Sequence, residues 1–116
     1  MASNFGNITV GSTIYEPRAD GIYSESTTTF SSPQNEFRIR GGTKRKDGNL
    51  TAGVTRVLQK DVTVSGNTTR HQCVVSLSIT VPSTGSFSAI EVDDLATDIS
   101  TFVTPSNVVA LLQGKQ

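Results

Sequence analysis

The stretch Thr69-Arg70-His71-Gln72-Cys73-Val74-Val75-Ser76-Leu77-Ser78-Ile79-Thr80-Val81 decides the fold. Cys73, Val75, Leu77, Ile79 and Val81 fall on one parity, while Arg70, Gln72, Ser76, Ser78 and Thr80 hold the other. That alternation is the signature of a β-strand with one apolar and one polar face. Only Val74 breaks it. A strand of this length needs neighbours, and the residues upstream supply them. Ser65-Gly66-Asn67 reverses the chain from a strand over residues 50–64, and Asp47-Gly48, a favoured tight-turn pair, closes a hairpin back to residues 36–40. There Phe37 and Ile39 alternate with Arg38 and Arg40, giving a second two-faced strand. Further upstream, residues 5–10 and 13–16 flank Gly11 as an edge hairpin, and Ala19-Asp20-Gly21 turns into a third strand over residues 22–30. In residues 54–64 the facing is less clear. Arg56 and Lys60 share parity with Val54, Leu58, Val62 and Val64, which predicts a bulge that reverses facing partway.

Downstream of the decisive strand the period changes from 2 to 3.6. Ser88-Ala89-Ile90-Glu91 fits a capping box, and Asp93 and Asp94 complement the positive end of a helix dipole. Leu95, Ile99, Phe102 and Val103 then form one apolar stripe opposite Asp94, Asp98 and Thr101. Thr104-Pro105 places an N-cap before a proline at the first helical position, so the chain bends and restarts as a short helix ending near Gly114. The fold class is therefore α+β: an antiparallel β-sheet with an N-terminal hairpin, followed by two C-terminal helices. A single domain spans residues 1–116, with the hairpin and third strand in 1–30, a basic central sheet in 36–81 and the helices in 88–113.

Net charge is zero, but it is not evenly spread. Residues 1–36 and 81–116 each carry −3, whereas residues 37–80 carry +6 from Arg38, Arg40, Lys44, Arg45, Lys46, Arg56, Lys60 and Arg70 against Asp47 and Asp61. Guanidiniums at Arg38, Arg40 and Arg70, beside the short polar groups of Gln72, Ser76, Ser78 and Thr80, form a surface suited to phosphates, ribose and base edges. Lys44 and Lys46 at a hairpin tip, with Arg56 and Lys60, add further cations to this candidate RNA-binding set. With only seven aromatic residues (five Phe, two Tyr), stacking is not the main mode expected.

Other chemistries find little support. One His and one Cys cannot make a zinc site, so no metal and no cofactor are expected. His71 and Cys73 stand at i, i+2 on one strand face, but the apolar Val75 and Leu77 that follow assign that face to packing. No phosphate-cradling glycine loop or carboxylate pair suggests an enzyme or a small-molecule substrate. The first residues lack the basic and apolar regions of a secretory signal, and no apolar run approaches ~18 residues, so no membrane partner is expected. Ala, Val, Ile, Leu, Met, Phe, Trp, Cys and Gly together make up 48 of 116 residues, about 41% against the usual ~45–50%, so one subunit alone is short of core.

The opening Ala2-Ser3-Asn4-Phe5 with its hairpin, the strand ending near Ala19-Asp20-Gly21, the basic strand over residues 36–40, the strand over 69–81 and the helices over 91–103 and 105–112 together resemble the coat proteins of single-stranded RNA bacteriophages. The resemblance covers nearly the whole chain and is one of layout and scattered residues. It implies an intertwined homodimer in which two sheets join edge to edge and each subunit lays its helices on its partner's sheet. Cys73, Val75, Leu77, Ile79, Leu95, Ile99, Phe102 and Val103 would then line the dimer interface. It further implies assembly into an icosahedral shell, packaging of a single-stranded RNA genome on the inner sheet face, and translational repression through an RNA hairpin. The location implied is the virion, and the host bacterial cytoplasm before assembly. Ser65-Gly66-Asn67 departs from the pattern, being shorter than the family's usual loop between these strands. The main alternative is a pilin-like or phage-tail β-sandwich without RNA binding.

Overall fold

A computed structural model describes residues 4–29 and 31–116; Met1, Ala2, Ser3 and Phe30 lie outside the described residues, and with them the start of the quoted opening and the predicted end of the third strand. The chain divides into two compact units, residues 1–80 and 81–116. The first is one six-stranded sheet in chain order: β1 Ile8–Val10, β2 Thr13–Ala19, β3 Ile22–Glu25, β4 Asn35–Lys44, β5 Asn49–Val64 and β6 Asn67–Pro82. The described strands thus form a single sheet and not the two packed sheets of a sandwich.

β2 continues past the point where the sequence suggests it stops, running through Pro17 to Ala19. Its partner β1 reaches only as far as Tyr15, so Pro17 sits where that edge is open and its missing N–H leaves no ladder bond unmade. β3 is shorter than predicted, ending at Glu25. Both the amide and the hydroxyl of Thr28 donate to the Glu25 carbonyl, at 3.0 and 2.7 Å, and this local turn competes with strand pairing. Between β2 and β3, Gly21 has φ +72°, and a Cβ there would lie 2.4 Å from the Ile39 carbonyl oxygen. Only glycine permits that close approach, which the Ile39 amide completes by donating to the Gly21 carbonyl at 2.7 Å.

The bulge predicted within residues 54–64 is absent, and the sheet instead carries one in β4, which the sequence reading did not foresee. β4 and β5 keep one register from Asn35↔Leu58 to Arg40↔Gly53, then slip before Thr43↔Thr51, so the extra residue is accommodated at Gly41-Gly42. Adjacent glycines are the easiest place for a bulge. β5 itself does not reverse. Its cross-strand contacts Thr55–Ser76, Gln59–Gln72, Asp61–Arg70 and Thr63–Thr68 advance in steps matched by equal steps back along β6. Arg56 and Lys60 therefore stay on the face of Val54 and Leu58. That placement is tolerable because the Arg56 guanidinium lies 4.9 Å from the Tyr15 ring centre and 4.8 Å from that of Phe37. It also donates to the Glu36 carbonyl and to Asn35 Oδ1. The β5–β6 turn is tight, with Ser65 at φ +53° and Gly66 at φ +83°, a pair of left-handed residues matching the twist of the strands.

In the second unit, α1 spans Ala89–Phe102 and α2 spans Pro105–Leu112, bent by 79° at the break. The capping box forms as the sequence predicts: Ser88 Oγ accepts from the Glu91 amide, and Glu91 Oε1 accepts from the Ser88 amide. Thr104 Oγ1 accepts from the Asn107 amide, with Pro105 at the first helical position. No single helix among the described residues is long and apolar enough to cross a membrane.

Burial is sparse. Among the described residues the buried hydrophobics are Tyr15, Tyr23 and Val57, all in the sheet, while neither helix has a buried residue. Leu95, Ile99, Phe102 and Val103 are 47–62% exposed.

Candidate nucleic-acid interface

Register decides which predicted residues can act together. Ile22, Arg38 and Thr55 lie opposite one another across β3, β4 and β5, and Thr55 meets Ser76 of β6 through a 3.0 Å hydroxyl contact. One step along, Arg40 is opposite Gly53. These two rungs place Arg38, Arg40, Ser76 and Ser78 around a depression of about 280 Å³ whose floor includes Gly53 and Thr55. Gly53 has a specific part in it. A Cβ at that position would stand 3.2 Å from Arg40 Nη2 and 3.5 Å from its Cζ, so the bare backbone leaves the guanidinium room to lie across β5.

Arg38 is held by one donor only: its Nε gives a 2.9 Å ion pair to Glu36 Oε2. No hydrogen bond of its two Nη groups occurs among the described residues, and the side chain is half exposed. A guanidinium fixed through Nε and open at Nη is oriented for a bidentate oxyanion. The hydroxyls of Ser76 and Ser78 supply neutral donors and acceptors beside it.

The remaining predicted cations are distributed differently. Arg70, Gln72 and Thr80 share the Arg38 face by parity, but Arg70 is already occupied, donating from Nε to Asp61 Oδ1 at 2.9 Å and from Nη2 to the Ser31 carbonyl at 3.0 Å. The hydrogen bond with Arg70 lowers the Asp61 pKa below the ordinary carboxylate value and raises that of Arg70. Gln72 accepts from Gln59 Nε2 at 3.1 Å. Arg56 and Lys60 lie on the opposite face, Lys44 pairs with Leu50 past the bulge, and Lys46 stands in the β4–β5 turn. The predicted set is thus split, with Arg38, Arg40, Ser76 and Ser78 as its convergent part. Thr55, Gly53 and the buried Glu36 were not among the predicted residues. Counting back from the Asp47-Gly48 turn pairs 40 with 54 and 38 with 56, and only the extra residue at Gly41-Gly42 shifts these partners to 53 and 55.

The predicted interface residues fall into two groups by unit. Cys73, Val75, Leu77 and Ile79 share the face of Arg56 on β6, where Cys73 is exposed and Val75 is 64% exposed. Leu95, Ile99, Phe102 and Val103 form the exposed stripe of α1 and its C-cap. No cluster of potential metal ligands occurs among the described residues.

No family model and no curated protein matches the chain. Solved structures do. The chain is similar to the protein of the virus-like particle of Wenzhou levi-like virus 1, with a TM-score of 0.89 and 35% identity over 98% of this chain and 100% of that one. It also matches the virus-like particle of Beihai levi-like virus 21 (TM-score 0.67, 9% identity, 96% of this chain and 94% of that one). The virus-like particle of bacteriophage AVE019 matches as well (TM-score 0.61, 14% identity, 93% of this chain and 92% of that one). The last two likenesses concern the fold alone.

Proposed function

The chain belongs to the levi-like coat proteins of single-stranded RNA bacteriophages, and from that premise we propose that it dimerises through its exposed apolar surface and packages single-stranded RNA on the Arg38 face of its sheet. As a capsid protein it is a structural component of the virion, not a catalyst. The observation that carries the RNA reading is the convergence of Arg38 and Arg40 with Ser76 and Ser78 on adjacent strands, with Nη groups of Arg38 unengaged. Phosphates supply the complementary charge, and each contact releases condensed counterions. The dimer reading rests on the three-residue buried hydrophobic set and on the exposed stripe of α1, which together leave a lone subunit under-packed. Packaging, more than hairpin repression, is the activity that two exposed guanidiniums with flanking hydroxyls support.

Replacing Arg38 and Arg40 together by Ala tests this. Purified particles of the variant should show a lower ratio of absorbance at 260 to 280 nm than wild type while keeping the same hydrodynamic size. RNA affinity should also fall less steeply with salt, the log-log slope dropping by about 0.7 for each phosphate that the variant no longer neutralises. Unchanged RNA content and slope would remove this face from RNA binding.

A further inference from the structure

Beside the arginine cluster lies a second depression, of about 550 Å³, bounded by Arg18, Ala19, Ile22, Ser24, Gln34 and Glu36. Its composition is unlike the first. Ala19 and Ile22 give it apolar walls, while Glu36, only 9% exposed, and Ser24, 4% exposed, stand opposite each other in the β3–β4 register. One oxygen of the Glu36 carboxylate accepts from Arg38 Nε, and the other has no hydrogen-bond partner among the described residues. No buried side-chain oxygen among the described residues lacks a partner, so this second oxygen is reached by solvent and stands as a free acceptor at the depression. Thr28 and Thr29 complete the lining, and an open depression of this size, with apolar wall area between fixed polar groups, can receive a flat organic ring.

We propose that this depression receives a guanine base of the packaged RNA, an inference that rests on the RNA-binding reading of the neighbouring arginines. Three features select guanine. The carboxylate oxygen demands hydrogen-bond donors, and guanine's Watson–Crick edge presents N1–H and the N2 amino group side by side. Adenine and cytosine place a ring-nitrogen acceptor next to their amino group, and uracil flanks its imino group with two carbonyls, so each brings a lone pair against the Glu36 charge. Ser24 adds a hydroxyl able to donate to guanine O6. Arg38 joins the two depressions, because its Nε fixes Glu36 while its Nη groups stay open to the phosphate of the same or an adjacent nucleotide. A base on Glu36 and a phosphate on Arg38 then form one nucleotide-sized site.

The test uses the full chain freed of nucleic acid and short RNAs that differ at one base: UUGUU, UUAUU, UUCUU and UUUUU, with affinity read by fluorescence anisotropy at one fixed salt concentration. UUGUU should bind about tenfold more tightly than UUUUU, the effect of one hydrogen bond to a charged group. In Glu36→Gln the ratio of UUGUU to UUUUU affinity should shrink to about threefold or less, because the amide exposes a weaker, neutral acceptor, while loss of the charge beside Arg38 shifts the affinity of all four RNAs together. Equal binding of all four RNAs by the wild type, or a preference for another base, overturns the guanine site and leaves RNA packaging standing. A guanine preference that survives intact in Glu36→Gln also overturns it. Failure to bind any of the four overturns this inference together with the packaging reading. The wild-type series decides the base preference even if the variant does not fold.

Discussion

The sheet and the C-terminal helices are both well determined by their own sequences, but in different ways. The sheet contains the buried hydrophobics Tyr15, Tyr23 and Val57, and it resolves its awkward groups internally: Arg56 against two rings, Glu36 against Arg38, Arg70 against Asp61. The helices satisfy their first orphan amides through Ser88 and Thr104, yet bury none of their side chains. Local capping fixes where a helix starts. It cannot supply the free energy of an apolar stripe, which is released only when a surface covers it. The helical unit therefore has its starts specified by the chain, while its apolar stripe buries nothing among the described residues.

The largest expected effect comes from asking where that stabilisation originates. Phe102→Ala should lower the stability of the assembled protein by about 3–5 kcal/mol if the ring is covered by a partner subunit, and the loss should shrink on dilution, because coverage is bimolecular and the wild type then loses it too. Val57→Ala, at a site 1% exposed inside the sheet, should cost about 2 kcal/mol with no dependence on protein concentration. Denaturant titrations at two concentrations, tenfold apart, separate the two. If Phe102→Ala leaves the midpoint unchanged at both, the stripe stays in water and the contrast between the units disappears.

A smaller effect probes the capping itself. Ser88→Ala removes the acceptor for the Glu91 amide and should cost about 1 kcal/mol, seen as a loss of helical signal at 222 nm on mild heating before the sheet unfolds. Equal loss of helix and sheet signals would mean that the two units unfold together.

Much of this layout is legible in the sequence, because the features that fix it are local. The alternation of Cys73 to Val81, the Asp47-Gly48 turn, the Ser88–Glu91 box and the Thr104-Pro105 break each involve residues close in the chain. What eluded sequence reasoning depends on register between distant residues. Arg56 looked like a sign of reversed facing because nothing local reveals that Tyr15, 41 positions earlier, offers it a ring. The bulge at Gly41-Gly42 displaced the pairing arithmetic by one residue, hiding Gly53 beneath Arg40. Glu36 counted only as a negative charge in an acidic segment, although burial beside Arg38 gives it the more particular place in the site.

The smallest predicted effect concerns Asp61 and Arg70, where the sheet's tendency to settle its charges internally limits what is left for RNA. The hydrogen bond from Arg70 depresses the Asp61 pKa from its ordinary value of 3.8. Between the depressed folded value and 3.8 the unfolded chain binds more protons than the folded one, so stability rises with pH across that window. The pair's contribution is present above the window and is lost as pH falls through it. Both side chains are 40% exposed, so the contribution is small and screened by salt. Asp61→Asn removes the carboxylate at every pH. Its thermal midpoint should lie slightly below wild type at pH 6 and approach it as pH falls below 3.8, and the gap should narrow in 0.5 M salt. The same variant frees Arg70 from its anionic partner at neutral pH, so its RNA salt slope should steepen by no more than about 0.7, one phosphate contact. A midpoint gap that does not narrow at all as pH falls below 3.8 would show that Asp61 acts through packing. An unchanged slope would show that the Ser31 carbonyl alone suffices to keep Arg70 from the phosphates.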